Sequence, residues 1–211
     1  VPQIDGKHVY TVEGLVERNG GQLDPVQEAM VQYDGTQCGF CTPGIIMSMF
    51  ALRQSDEKIT DEVIHDTLAG SLCRCTGYRP IVDAARDACV DASADEKLAI
   101  LKKGDGYQAG GQSFFAPTSV IAMAEILSRH PDATILGGGT DLGILVSKDR
   151  QAFETVVHSA QVKELRQISE DDETLTFGAA VTYTEALSYI ERLYPSFATM
   201  IRRLGSRQIR N

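Results

Sequence analysis

Long apolar runs and clustered positive charge are both scarce in this sequence. No apolar run reaches about 18 residues, so we expect no segment that spans a membrane. The 211 residues contain 20 Lys and Arg against 29 Asp and Glu, which gives a formal net charge of −9. The one dense basic stretch, "IRRLGSRQIRN" at the end of the sequence, is short. Because phosphate backbones are bound by clustered Lys and Arg, we expect no nucleic-acid surface.

An initiating methionine and a secretory signal are also missing. The sequence opens at Val1 in "VPQIDGKHVYTVEGL", so we expect a fragment of a longer protein. We expect a cytoplasmic, reducing location, where paired cysteines more often hold metal than form disulfides. No Ser-His-Asp or Cys-His arrangement is recognisable, and we predict no catalytic residue. The four histidines have no metal-ligand spacing and are interpreted as surface or structural residues: His8, His65, His130 and His158.

Four of the five cysteines form two tight pairs, Cys38-x-x-Cys41 and Cys73-x-Cys75. Two thiolate pairs on neighbouring loops can hold one inorganic centre, either a structural Zn²⁺ or an iron–sulfur cluster. The Cys-x-Cys pair is less usual for a zinc site. A helix that begins after Cys41 would also point its N–H groups at the centre, which favours an anionic one. The fifth cysteine, Cys89, lies on an apolar helix face and is interpreted as a core thiol.

Residues 24–90 carry the signals of four short helices, which predicts a small helical bundle with both cysteine pairs on its loops. Asp24 is predicted to cap the first helix, with Pro25 at its first position and Gln27 completing a capping box. The preceding residues 1–23 are expected to form a strand, at "HVYTV", and turns.

The other three helices of this bundle have start signals of their own. Thr42 is predicted to cap the second helix, because Pro43 follows it and apolar residues then recur at helical spacing. The third helix is predicted from Thr60 to near Gly70, and the fourth from about Pro80. Residues 1–90 are therefore predicted to form one helical domain.

The composition changes after this domain. Residues 91–112 are charged and then glycine-rich, and are predicted to be a linker. Residues 113–211 are predicted to be α+β, with a helix capped by Thr118 and further helices near Thr184 and Tyr194. Strands are predicted at "ATIL", "ETVVHSA" and "TLTFGAAV".

A glycine-rich loop, "GGGTDL", follows the predicted strand "ATIL". Consecutive backbone N–H groups in such a loop can surround a phosphate, and glycine allows the close approach this needs. The loop is neither Gly-x-Gly-x-x-Gly nor a Walker loop, so the residues alone leave a phosphate site and a tight turn as equal alternatives.

The cysteine strings resemble a known family. "QCGFCTPGIIMSM" and "AGSLCRCTGYRPIVDAA" are similar to the helical [2Fe–2S] domain of the xanthine dehydrogenase family, the molybdenum hydroxylases. The resemblance implies that Cys38, Cys41, Cys73 and Cys75 ligate a [2Fe–2S] cluster. It also implies that Gln37 and Cys75 contact the molybdopterin cofactor. Arg74, between two implied ligands, either offsets the charge of the cluster or reaches solvent.

The second half of the sequence resembles the flavin domain of the same family. The stretch "FFAPTSVIAMAEILSRHPDATILGGGTDLGILVSK" and the later "TFGAAVTYTEAL" and "LGSRQIRN" carry this resemblance. It implies an incomplete FAD-binding domain, without a ferredoxin-like domain before the helical domain and without the second FAD segment after Asn211. The implied FAD contacts are Ile135, Leu136, Gly137, Gly138, Gly139, Thr140, Asp141 and Leu142.

The resemblance implies an electron-transfer role in an oxidoreductase. It points to the iron–sulfur/FAD small subunit of a xanthine dehydrogenase, which converts xanthine, NAD⁺ and water to urate and NADH. Implied partners are a molybdopterin-binding large subunit, NAD⁺ as acceptor, and further copies in a higher oligomer of heterodimers. One alternative is the same role in a hydroxylase of aldehydes, carbon monoxide or N-heterocycles. Another is a zinc-stabilised interaction module without a redox role.

Overall fold

A computed structural model describes residues 8–90 and 106–211, together with Ile4. The chain separates into two compact units, a helical unit that contains residues 8–90 and an α+β unit that contains residues 106–204 and 208–211. The predicted α+β multidomain class is therefore confirmed. Among the described residues, no helix has the length and apolar character that a membrane crossing requires.

The helical unit contains five helices within residues 8–90, one more than the sequence predicts. The extra helix is short and lies where a strand was expected. Residues 8–11 form no strand, because the chain turns directly into this helix, which buries Leu15 completely in the core. Residues 1–3 and 5–7, which belong to the stretch expected to form a strand and turns, lie outside the described residues. The helices are α1 (Gly14–Arg18), α2 (Pro25–Gln32), α3 (Thr42–Arg53), α4 (Asp61–Leu68) and α5 (Arg79–Cys89).

The helix starts follow the predicted caps with one exception. The Asp24 side chain accepts a hydrogen bond from the N–H of Val26, and the predicted capping box with Gln27 is present. Thr60 caps α4 through the N–H of Val63. The prediction that Thr42 caps α3 is wrong: Thr42 is already helical and Cys41 is the cap residue.

The core of this unit is built from apolar residues of all five helices. Two fully buried alanines of α5, Ala84 and Ala85, leave room for α5 to pack against α2, α3 and α4. Cys89, also fully buried, ends the same helix and confirms the interpretation as a core thiol. The largest fully buried side chains are Leu15, Val26, Met30, Ile45, Met49, Leu52, Ile64 and Ile81.

The α+β unit contains a four-stranded sheet in the order β1-β2-β4-β3. β1 (Gly106–Ala109) lies inside the stretch predicted to be a linker. These residues form a strand because they pair with β2 (Gln112–Phe115) as an antiparallel hairpin. The earlier part of that stretch, residues 91–105, lies outside the described residues. β2 and β3 (Thr134–Leu136) both run parallel to β4 (Thr155–His158).

Helices connect the parallel strands of this sheet. α6 (Val120–Arg129) begins one residue later than predicted, because Ser119 rather than Thr118 accepts the N–H of Ala122. α7 (Thr140–Asp149) connects β3 to β4. Leu136 pairs with His158, so both strands end at the same edge of the sheet. That edge carries the glycine-rich loop.

A second, smaller part of this unit follows β4. β5 (Ile168–Glu170) and β6 (Leu175–Phe177) form an antiparallel hairpin. Two amphipathic helices then pack on each other through buried Ala186, Ile190, Ala198 and Ile201. These helices and the last one are α8 (Tyr183–Leu193), α9 (Pro195–Arg202) and α10 (Arg207–Arg210).

Candidate functional site

The four paired cysteines lie on two loops that each lead into a helix. Cys38 and Cys41 precede α3, and Cys73 and Cys75 precede α5. Cys38 and Cys75 are exposed, Cys41 is half-buried and Cys73 is buried. The two loops therefore bring one exposed and one more buried sulfur each to the same end of the helical unit.

The four thiols contact one another as two pairs across the two loops. The pKa of Cys38 is lowered because its sulfur accepts hydrogen bonds from the N–H of Phe40 and then from Cys75, and the pKa of Cys75 is raised because its thiol donates to Cys38. The pKa of Cys41 is raised by its burial and by its hydrogen bond to Cys73. An exposed Cys38–Cys75 pair and a more buried Cys41–Cys73 pair result.

Cys73 has the most developed hydrogen-bond environment of the four. Its pKa is lowered to about 7 because its sulfur accepts hydrogen bonds from the hydroxyl and N–H of Thr76 and from the N–H of Cys75. The Thr76 Oγ1 to Cys73 Sγ distance is 3.2 Å. These donors stabilise a deprotonated sulfur, which is the form that binds metal.

The remaining residues implied at this site lie on its exposed side. Gln37 and Arg74 are both exposed, so their side chains are accessible to a partner. Phe40 and Leu72 flank the cysteines with 96% and 84% of their surface exposed. Both large apolar side chains are therefore accessible to a partner beside the cysteines.

The donor set fits a [2Fe–2S] cluster. Such a cluster takes four thiolates, two on each iron, and the thiols meet here as two pairs with backbone N–H groups directed at their sulfurs. Within residues 8–90 and 106–211, no three His, Cys, Asp or Glu side chains converge to hold one metal ion. Two pairs of contacting thiols match the two thiolates that each iron of a [2Fe–2S] cluster takes.

Alkylation of the iron-free chain should separate the cysteines by exposure and pKa. After iron is removed with a chelator, we expect iodoacetamide at neutral pH to modify Cys38 faster than Cys75, because both are exposed but only Cys38 has a lowered pKa. Cys89 should react only after unfolding, since it is fully buried and burial raises its pKa to about 11. Mass spectrometry of peptides over time measures each rate. Modification of Cys89 in the folded chain would contradict the assignment.

The glycine-rich loop of the α+β unit joins β3 to α7. Gly139 is the residue before α7 and has φ of +79°, a left-handed conformation that suits glycine. Thr140 is the first helical residue, so the loop delivers the N-terminus of a ten-residue helix to the edge of the sheet. Such a helix start supplies unpaired N–H groups and the positive end of the helix dipole to an anion.

A cavity of about 390 Å³ lies beside this loop. Residues at the end of β4, the segment after β6 and the last helix form its other walls. The lining mixes small, polar and apolar side chains. None of the lining residues is Asp or Glu, although the chain as a whole is strongly acidic. The lining residues are Gly137, Gly138, Thr140, His158, Ser159, Ala160, Ala179, Ala180, Val181, Thr182, Tyr183, Ile209, Arg210 and Asn211.

Arg210 gives the cavity wall a fixed positive charge. Its side chain is buried, and its Nη1 donates to the carbonyl oxygens of Arg202 at 3.1 Å and Leu204 at 3.2 Å. Two backbone carbonyls therefore orient this guanidinium at the cavity. A glycine loop, a helix start and a guanidinium at one cavity fit the pyrophosphate of a dinucleotide such as FAD.

The FAD contacts implied by the resemblance overlap the lining of this cavity only in part. Of the eight FAD contacts implied by the resemblance, Gly137, Gly138 and Thr140 line the cavity, whereas the other five are not among its lining residues. His158, interpreted from sequence as surface or structural, is buried and lines it. The position of His158 could have predicted this. It ends a strand that is parallel to the one before the glycine loop, and the carboxyl ends of neighbouring parallel strands lie at the same edge of a sheet.

Comparison with known families assigns both units. Residues 11–86 match the [2Fe-2S] binding domain, and residues 107–211 match the FAD binding domain in molybdopterin dehydrogenase. The two matches follow each other along most of the chain. The cofactors of this chain are therefore a [2Fe–2S] cluster and FAD.

Curated proteins from several organisms are similar to this chain. The chain is 31% identical to xanthine dehydrogenase 1 of Arabidopsis thaliana over 90% of the chain and 19% of that protein. It is 51% identical to xanthine dehydrogenase of Oryza sativa subsp. japonica over 49% of the chain and 8% of that protein. Aldehyde oxidase 2 of Macaca fascicularis is 27% identical over 98% of the chain and 20% of that protein.

A solved structure is also similar. Carbon monoxide dehydrogenase from Hydrogenophaga pseudoflava is 26% identical over 46% of the chain and 35% of that chain, with a TM-score of 0.43. The present chain spans about a fifth of the length of the curated relatives that it matches along most of its length. With its two domain matches in this order, the chain belongs to the molybdenum hydroxylase family, as the iron–sulfur and flavin-binding region that transfers electrons.

Proposed function

We propose that this chain relays electrons from a molybdopterin centre to NAD⁺ within a xanthine dehydrogenase. In the proposed reaction, xanthine, water and NAD⁺ give urate, NADH and a proton. The observation that carries the relay is the exposed Cys38–Cys75 pair, which lies beside exposed Gln37 and opposite the more buried pair. A cluster held by both cysteine pairs would face a docked partner on its exposed side and the interior of the unit on the other.

The proposed ligands are Cys38, Cys41, Cys73 and Cys75. When bound, the cluster supplies one-electron transfer and the flavin supplies two-electron storage. The protein holds the four sulfurs, shields the Cys41–Cys73 side with the helix bundle, and directs N–H and hydroxyl donors at two of the sulfurs. Gln37 and Cys75 are proposed to contact the molybdopterin of a large partner subunit, because both are exposed on the open side.

The proposed flavin site is the cavity beside the glycine loop. The loop and the start of α7 would hold the pyrophosphate through backbone N–H groups and the Thr140 hydroxyl, while Arg210 would balance its charge. Ile135, Leu136, Gly139, Asp141 and Leu142 would then shape the loop rather than line the cavity. NAD⁺ as the final acceptor and a higher oligomer of heterodimers belong to the same proposal.

A second candidate is electron transfer for aldehyde oxidation. The identity of 27% to an aldehyde oxidase over nearly the whole chain favours it, and this is close to the 31% identity to a xanthine dehydrogenase. The electron-transfer residues proposed above would be the same in both cases. Assays of the full-length subunit, assembled with its molybdopterin partner, on xanthine and on aldehydes would distinguish them. Turnover of aldehydes without turnover of xanthine would contradict the xanthine proposal.

Metal and flavin analysis tests the proposed cofactor sites directly. We expect a red-brown chain with about two irons, because four cysteine thiolates hold a [2Fe–2S] cluster. We also expect FAD to exceed FMN and riboflavin among bound flavins, since the cavity favours a pyrophosphate. Iron and zinc are measured by mass spectrometry and flavins by chromatography. A colourless chain with one zinc after iron-supplemented expression would contradict the cluster and favour a zinc-stabilised module.

A further inference from the structure

The loop after the second cysteine pair folds back on Cys73 through three hydrogen bonds. Thr76 Oγ1 lies 3.2 Å from Cys73 Sγ and accepts the N–H of Tyr78 at 3.1 Å. The hydroxyl of Tyr78 in turn accepts the N–H of Cys73 at 2.8 Å. Thr76 therefore contacts the sulfur of Cys73, and Tyr78 contacts its backbone.

The direction of the Thr76 hydrogen bond follows from its partners. The Thr76 oxygen already accepts a hydrogen bond from the Tyr78 N–H, and a metal-bound thiolate has no proton to donate. The Thr76 hydroxyl must therefore be the donor and Cys73 Sγ the acceptor. This donor lies on the more buried sulfur pair, where solvent screens it less than it would at Cys38 or Cys75.

The backbone at Tyr78 shows that this arrangement is maintained against a local preference. Tyr78 has φ of +69°, a left-handed conformation that disfavours a side chain with a Cβ atom. In this conformation Tyr78 precedes α5 and turns its hydroxyl toward the N–H of Cys73, five residues earlier. The start of α5 is thereby attached to the ligand loop.

We propose that Thr76 and Tyr78 are positioning residues with separate roles at the cluster, an inference that rests on the proposed cluster site. Thr76 sets the reduction potential, because a hydrogen bond to a ligand sulfur stabilises the more negative, reduced state. Tyr78 sets the retention of the cluster, because its hydroxyl fixes the backbone of Cys73. Neither residue ligates iron.

The test compares variants of the cluster-loaded chain. Thr76→Val keeps the size of the side chain and removes the donor, so we expect unchanged iron content and a lower reduction potential. At a fixed applied potential, the ratio of reduced to oxidised cluster should fall about tenfold, the size of effect expected from one charge-assisted hydrogen bond. Thr76→Ser should retain the wild-type ratio. Redox titration followed by electron paramagnetic resonance measures both.

Tyr78→Phe provides the second readout. This variant removes the acceptor of the Cys73 N–H and leaves the Thr76 hydroxyl in place, so we expect faster iron release to a chelator with little change in potential. Equal potentials for wild type and Thr76→Val would overturn the inference for Thr76. So would a Thr76→Val chain with less than half of the wild-type iron, because Thr76 would then build the site rather than tune it.

Unchanged iron release in Tyr78→Phe would overturn the inference for Tyr78. Failure of the proposed function itself is distinguishable from these results. In that case the wild-type chain would hold no [2Fe–2S] cluster, before any variant is compared.

Discussion

Replacing Cys73 with serine is expected to abolish the paramagnetic signal that a reduced [2Fe–2S] cluster gives, whereas Cys89→Ser leaves it intact. Cys73 contacts Cys41 and accepts three hydrogen bonds from its own loop, so its sulfur lies among the proposed ligands. Cys89 is fully buried, and its thiol donates to the carbonyl oxygen of Met49 at 3.6 Å, at the opposite end of α5 from the ligand loop.

The two substitutions form a matched pair, because each replaces one buried sulfur with oxygen in the same unit. A serine at position 89 can still donate to Met49, so we expect a loss of about 1 kcal/mol in the free energy of unfolding without loss of iron. Serine is a poor iron ligand, so the chain with serine at position 73 should lose most of its iron. Circular dichroism checks that both variants stay folded. Equal loss of signal in both would show that the ligand assignment is wrong.

The sequence predicted the helical unit well because its signals are local. The Asp24 capping box and the Thr60 cap each require only residues within one turn, and both are present. The failure at Thr42 has a different cause. Its hydroxyl lies 2.6 Å from that of Thr36, across the first cysteine loop, and α3 begins one residue before the proline rule suggested. A tertiary partner decided the role of this side chain.

The α+β unit was predicted less completely because its contacts join distant residues. Two glycines between β1 and β2 were interpreted as part of a linker, although a Gly-Gly pair between two β-prone runs is also a hairpin signal. The helix α7 begins at Thr140, inside the "GGGTDL" stretch that the sequence predicted to be a loop. Arg210 is oriented at the cavity by carbonyls of Arg202 and Leu204, and no periodicity in the sequence encodes that contact.

Gly178→Ala is expected to destabilise the α+β unit by about 3 kcal/mol and to abolish flavin binding. A Cβ atom at Gly178 would lie 2.5 Å from the carbonyl carbon of Leu165 and closer still to its oxygen. These are backbone atoms, which cannot rotate away as the end of a side chain could. The Gly178 N–H donates to Gln167 and the Ala180 N–H to Leu165, so the two segments are bonded together on both sides of the clash.

The same segment forms a wall of the proposed flavin cavity. Ala179 and Ala180 follow Gly178 directly and line the cavity, so any movement that relieves the clash also displaces that wall. Gly143→Ala is the matched control, because Gly143 lies inside α7 with no atom within 4 Å of an added Cβ. Alanine there should stabilise the unit by about 0.5–1 kcal/mol.

Hydrogen exchange assigns the effect to the correct unit. In Gly178→Ala, amides of residues 106–204 and 208–211 should exchange faster, while those of residues 8–90 keep their protection because they belong to a separate compact unit. Flavin fluorescence during titration then measures binding in both variants. Wild-type protection and flavin affinity in Gly178→Ala would show that the contact between Gly178 and Leu165 does not support the cavity. Loss of cluster signal in the same variant would show that the two units do not fold separately.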